Sequence, residues 1–377
     1  MSDEQQEQPQ EPGQEQTQPP REQASGREKP PAPEVSEPQI PMPQDELTTG
    51  PGEPPSTMSA LDFPNVSAPV ASPAATPAPA GKAPNAGTDT SARGTVRSIH
   101  YTLSYVVRNA ERGPRGAVVL LHDLPGGAFV WDDALPALDA TGQAVYAFDM
   151  LGYGQSEYPW PSDTSVWGHA DCLAMAFRRL GFADITLVGI GVGAAVAQVL
   201  ATRMYREGIG RLVLINSYAY SYAFAPNWPL SEMEKRHDPE APKHTPLDAV
   251  LNDLRATLPQ GSAKARYLTG SRLDAYTGAW NSEIGKEMLF QHIRLMIPNY
   301  LNSVGSDLGK LQIPVLLVWS ANDQVTPPAL GERMAREIPG ARLETIPDAG
   351  HMLLEDAPDA LARLLADFAA AVPAARG

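Results

Sequence analysis

Short apolar runs recur along the chain from about Thr95: SIHYTLSYVV (98–107), AVVLLH (117–122), AVYAFD (144–149), ITLVGI (185–190), RLVLIN (211–216), PVLLVW (314–319) and ARLETI (341–346). Runs this short, apolar on consecutive positions and rich in Val, Ile and Leu, predict strands buried on both faces. Between them the spacing predicts helices, notably over 166–181 and 192–208. Strands alternating with helices predict an α/β fold: a mostly parallel sheet with helices on both faces. The alternation breaks between Ser217 and about Gln312, a stretch holding YAYSYAFAPNWP (218–229) and amphipathic segments at 247–258 and 281–297. An insertion of that size predicts a helical lid, at about 218–312, over the edge of the sheet where open α/β sheets bind ligands.

The first 90 residues have a different texture. They hold 19 of the 38 prolines and a single aromatic, Phe63, with 4 basic against 14 acidic residues. So little apolar surface cannot offset the entropy lost on folding, which predicts a disordered acidic Pro/Gln/Ala-rich leader over 1–94 and a folded domain over 95–377. Deleting residues 1–90 is therefore expected to leave the melting temperature nearly unchanged, and a drop of many degrees would show that the leader packs on the domain.

Most of the net charge of −15 belongs to that leader. The remaining residues carry −5 and no basic cluster, which argues against nucleic acid or an anionic membrane surface as partner. No apolar run reaches the roughly 20 residues of a membrane span, and no signal sequence opens the chain. One cysteine, Cys172, excludes a disulfide framework and a thiolate metal site. A soluble, cytoplasmic protein that uses a small-molecule substrate or ligand is the expectation, with no cofactor or metal; no feature names a protein partner for the leader.

Five loops carry the candidate chemistry: HDLPGG (122–127), DMLGYGQS (149–156), GIGVG (189–193), SANDQVTP (320–327) and PDAGHMLLEDAP (347–358). Their order and spacing resemble the α/β-hydrolase fold family, in particular its lidded branch near epoxide hydrolases and haloalkane dehalogenases, over about residues 95–372. The resemblance implies that Leu124 and Val192 supply the oxyanion amides, that Asp323 is the triad acid and that His351 is the base. It also puts Gly191 at the nucleophile position of the G-x-S-x-G elbow, where a glycine has nothing to attack with. Asp123 stands where the family usually has glycine, and an ionised carboxylate there would oppose a developing oxyanion.

A covalent elbow intermediate is thus unavailable. What remains is a His351–Asp323 pair, with one imidazole nitrogen held by the carboxylate and the other free to accept a proton near neutral pH. Such a pair suits general acid/base work on a small, largely apolar substrate, hydrolytic or lyase-like, without a covalent nucleophile. The alternative is a pseudo-hydrolase whose pocket binds a ligand or partner and turns nothing over. Cys172 reads as packing, and Asp149, with Gly152 and Gly154, as a turn-fixing residue. Trp131, Trp160, Trp228, Trp280 and Trp319 read mostly as core or lid packing. GIGVG is not a dinucleotide fingerprint, because the four other loops outvote that reading.

Overall fold

The apolar runs assemble into one eight-stranded sheet, ordered β1-β2-β4-β3-β5-β6-β7-β8, in a computed structural model of the protein. Residues 91–371 are described, apart from 99, 160–161, 221–237, 265–267 and 297–300. The strands are β1 (Ala92–Arg97), β2 (Thr102–Arg108), β3 (Val118–Leu121), β4 (Val145–Asp149), β5 (Ile185–Ile190), β6 (Ile209–Ile215), β7 (Val315–Ser320) and β8 (Arg342–Ile346). From β4 to β8 every pairing is parallel, whereas β1 and β2 are antiparallel. Every residue of β3, β4, β5, β6 and β7 is buried, while edge strand β8 is mostly open, as strands covered on two faces require.

Helices cover the sheet: α1 (Leu135–Asp139), α2 (Val166–Leu180), α3 (Val192–Val199), α4 (Ala241–His244), α5 (Leu247–Thr257), α6 (Gly270–Gly278), α7 (Glu283–Leu295), α8 (Asn302–Leu308), α9 (Pro328–Glu337), α10 (Leu353–Asp356) and α11 (Pro358–Ala370). The Ser165 hydroxyl starts α2 by accepting from the Gly168 amide at 3.2 Å, and Gly181, at φ 72°, ends it. Helices α4 to α8 all lie in the long excursion between β6 and β7.

Three sequence expectations change. Of the run at 98–107 only 102–107 is strand, most of β2; Ser98 N–H donates to Tyr101 O across a hairpin whose first strand begins at Ala92, ahead of the boundary expected at 95. The helix expected over 192–208 is regular only to Val199, then continues as a π turn (Leu200–Met204). There Thr202 Oγ1 donates to Gln198 O at 2.7 Å, the back-bonding that loosens a helical ladder. The leader over 1–90 lies outside the described residues, as do Trp160, Trp228 and most of 218–229. Among the described residues no helix is long and apolar enough to cross a membrane.

Strand β3 pairs with β4 on one side and with β5 on the other. Successive crossovers therefore leave in opposite directions, and a crevice opens past the carboxyl ends of β3 and β5, where such sheets place ligands. The two residues that face each other there are Asp123 and Gly191.

Candidate active site

Local geometry at the β5–α3 turn favours glycine. Gly191 has φ 54° and ψ −114°, which glycine adopts freely and a side-chain-bearing residue only with strain. A Cβ on Gly193 would stand 2.5 Å from the carbonyl oxygens of Leu121 and His122, so helix and strand could not close up. Gly193→Ala is accordingly expected to cost on the order of 1–3 kcal/mol, read as a lowered denaturation midpoint; unchanged stability would contradict this packing.

The loop after β3 is fixed by His122. Its Nδ1–H donates to Asp123 O at 2.9 Å and its Nε2 accepts from Met150 N–H at 3.0 Å, so both nitrogens are used in one neutral tautomer. Burial holds its pKa below the usual value, against the pull of the nearby carboxylates. Asp149 ties the neighbouring turn: its carboxylate accepts from the amides of Ala128 and Gln155 and from Arg93.

Asp323 is held by four donors. Its Oδ1 accepts from the amides of Val325 and Thr326, both at 2.8 Å. Its Oδ2 accepts from Thr326 Oγ1 at 2.7 Å and from His351 Nδ1 at 2.8 Å. The histidine loop is fixed in turn by Asn216, whose Nδ2 donates to His351 O at 3.0 Å, and by Asp356, whose carboxylate accepts from Gly350 N–H at 2.7 Å.

Asp123, expected to oppose an oxyanion held by the Leu124 and Val192 amides, lies directly against those amides. Its Oδ1 accepts from Leu124 N–H at 2.8 Å and from Val192 N–H at 2.7 Å, occupying both amides assigned to the oxyanion. Its Oδ2 lies 3.1 Å from His351 Nε2. A Cβ built on Gly191 would stand 2.1 Å from Asp123 Cγ. The carboxylate thus fills the volume into which a side chain at position 191 would project.

One expectation changes with it: Nε2 of His351 is not free. A carboxylate contacts each ring nitrogen, and carboxylates only accept, so both nitrogens are satisfied when both carry protons. Burial alone would push this imidazole down; the Asp323 and Asp123 carboxylates outweigh it and lift its pKa to about 10. At neutral pH His351 is an imidazolium between two carboxylates, a proton donor before it is a base.

Above this row opens a small, partly open pocket. Asp123 and His351 are its polar floor, and its walls are largely apolar, with Leu124, Val130, Ile190 and Leu354 among them. Tyr276, on α6, also lines it and donates to Glu355 Oε1 at 2.7 Å. Burial, reinforced by the Glu355 carboxylate, pushes the Tyr276 hydroxyl well above its usual pKa, so it stays neutral. Trp280 Nε1 donates to Pro125 O at 3.1 Å, fastening the β6–β7 excursion to the loop that carries Asp123. No cluster of His, Cys, Asp and Glu suited to a metal occurs among the described residues.

Of the remaining sequence candidates, Cys172 is buried, with its thiol pushed up by burial, as for packing. Trp131, Trp280 and Trp319 are fully buried. Sequence reasoning missed Tyr276, Asn216, Thr326 and Asp356. Tyr276 had a place in the excursion expected to cover the sheet edge, and Thr326 and Asp356 lay within two of the five candidate loops; Asn216 had no signal of a role.

This architecture and site define an enzyme-like α/β fold with a histidine–aspartate pair at a sheet switch point. A family model, the alpha/beta hydrolase fold, matches residues 116–358, and the chain belongs to that family. It is 28% identical to the alpha/beta hydrolase domain-containing protein VTE7 of Arabidopsis thaliana, over 68% of this chain and 74% of that protein. It is 26% identical to a haloalkane dehalogenase of Psychrobacter cryohalolentis (70% and 86%) and 28% identical to a pimeloyl-[acyl-carrier protein] methyl ester esterase of Neisseria meningitidis (67% and 92%). Among solved structures, an alpha/beta hydrolase fold protein from Burkholderia ambifaria aligns with a TM-score of 0.65 at 22% identity, covering 73% of this chain and 97% of that one. The haloalkane dehalogenase DbeA from Bradyrhizobium elkani aligns with a TM-score of 0.64 at 21% identity (74% and 98%). At these identities the structural likeness speaks for the fold alone.

Proposed function

We propose that the protein is a hydrolase for a small, largely apolar substrate, in which His351 and Asp323 move the protons and Gly191 forms no covalent bond. The excursion between β6 and β7 acts as the lid of the pocket, and a lyase-type step is open to the same pair. The observation that carries this reading is the 2.8 Å contact of His351 Nδ1 with Asp323, on the floor of an apolar pocket. Buried on every side, Asp323 orients the ring and compensates its charge. The relatives' names, among them a methyl ester esterase and a haloalkane dehalogenase, add weight to hydrolysis of small molecules.

One observation favours the binding alternative: Asp123 occupies both oxyanion amides, so an ordinary ester carbonyl finds no donors waiting. Release of product from small apolar esters, alkyl halides and epoxides, by wild type and by His351→Ala, separates the two readings. The hydrolase reading expects wild type to turn over at least one class, with a loss of about 10²–10⁴ in the variant. Ligand binding without turnover of any class would leave the binding reading.

A further inference from the structure

We propose that Asp123 is the covalent nucleophile of this site, a carboxylate delivered from the loop after β3 into the volume that a side chain at Gly191 would have filled. The proposal rests on the hydrolase reading and gives its water an ester to attack instead of the substrate itself.

Three independent features of the geometry support it. First, where the Asp123 side chain lies, a Cβ at 191 would overlap its Cγ, so a side chain at 191 requires this carboxylate to move. Glycine at the turn and aspartate on the neighbouring loop are therefore one arrangement. Second, the two carboxylate oxygens are differentiated. Oδ1 is pinned by two backbone amides, one at the N-terminus of α3, while Oδ2 stands on the pocket floor beside His351. An ester formed on Oδ2 would leave Oδ1 as its carbonyl oxygen, already seated where negative charge develops when water attacks Cγ. Occupied amides, fatal to an ordinary esterase, are what an internal ester requires. Third, the Asp123 side chain is 16% exposed, whereas those of His351 and Asp323 are 1% and 0% exposed. Asp123 and His351 both line the pocket, and of the three side chains that of Asp123 is the most exposed there.

The proton on His351 narrows the substrate class. A carboxylate attacking an acyl carbon would give an anhydride, so the fitting electrophile is an sp³ carbon with a leaving atom. A strained cyclic ether suits a resting imidazolium best. Asp123 Oδ2 forms a bond to a ring carbon, the carbon–oxygen ring bond breaks, and its electron pair stays on the ring oxygen, which takes the Nε2 proton of His351. Ester formation also removes the Asp123 charge that held that proton, so His351 is left as a neutral base. Water then attacks Cγ and gives a proton to Nε2, while the oxyanion rests on Oδ1 between the Leu124 and Val192 amides. Collapse breaks the Cγ–Oδ2 bond, Oδ2 leaves with the product diol, and the proton of the new carboxyl group passes to it. Asp123 returns as a carboxylate with one oxygen from water, and His351 as an imidazolium.

The test uses 1-bromohexane and 1,2-epoxyhexane on wild type, His351→Gln, Asp123→Asn and the double variant, each checked for folding. Bromide leaves without a proton, so His351→Gln should still be alkylated by 1-bromohexane but should not release the ester. The expected result is a stoichiometric hexyl adduct on His351→Gln, mapped to Asp123 and lost in the double variant. Wild type should turn over the epoxide, and Asp123→Asn should lose that turnover by at least a hundredfold. Should His351→Gln not fold, wild type turning over the epoxide in ¹⁸O water should carry ¹⁸O in the Asp123 peptide. A folded variant with no adduct, or with an adduct elsewhere, overturns the nucleophile. If wild type nevertheless turns over either probe, the hydrolase reading survives that failure. An adduct on Asp123 with no wild-type turnover would retain the nucleophile and remove the hydrolase.

Discussion

Gly191→Ser is expected to be destabilised and without esterase activity, whereas Asp123→Gly combined with Gly191→Ser should fold and hydrolyse a short-chain activated ester. In the single variant the new Cβ stands 2.1 Å from Asp123 Cγ, and a serine must adopt φ 54° at a cost on the order of 1–3 kcal/mol. The oxyanion amides also remain filled by the carboxylate. Removing Asp123 opens the volume, frees both amides and leaves His351 Nε2 facing the new hydroxyl. Since one oxyanion donor is worth about 10²–10³ in rate, the double variant should exceed Gly191→Ser by at least about 10². Equal rates in folded single and double variants would mean that Asp123 is no obstruction.

His351→Gln should abolish turnover and also change how stability depends on pH. The imidazole pKa is about 10 in the folded protein, raised above its ordinary 6.5. A raised pKa means that the folded state holds the proton more tightly, so this stabilisation is complete below about pH 6.5 and is lost as pH rises towards 10. Wild type should therefore lose melting temperature over that window, and His351→Gln should lose less of it. Asp123→Asn, which removes one of the two carboxylates, should move the wild-type loss to lower pH. Identical pH profiles for wild type and His351→Gln would contradict an imidazolium between two carboxylates.

The two kinds of feature were unequally legible in the sequence. Strands such as ITLVGI and PVLLVW could be read nearly to the residue because a strand buried on two faces must be apolar throughout. The hairpin at β1 and β2 could not, since β1 is an open edge strand with one buried residue and hence no apolar run. Asp323 and His351 stood out because each follows a strand at a recognisable loop, and the fold brings them to 2.8 Å. The meaning of Asp123 was hidden. Sequence placed a carboxylate near the oxyanion loop, but whether it pointed away, opposed an oxyanion or filled the site depends on one side-chain direction. The clue was there in paired form, a glycine lacking a side chain at 191 and an extra side chain at 123. Only the contact across the β3–β5 switch point shows that they share one volume. Thr326 and Asp356 lay inside two of the five candidate loops, but nothing marked a role for them there, and Asn216 ended an apolar strand run. Polar residues that tie loops together have no period of their own.

The account's central claim is tested most directly by a single turnover of 1,2-epoxyhexane by wild-type protein in ¹⁸O water, with the oxygens of product and protein read by mass spectrometry. The account predicts a first-turnover diol free of ¹⁸O and the label in the Asp123 peptide, because the product takes its oxygen from the carboxylate and the carboxylate takes its own from water. Label in the first diol, with Asp123 unlabelled, would contradict it.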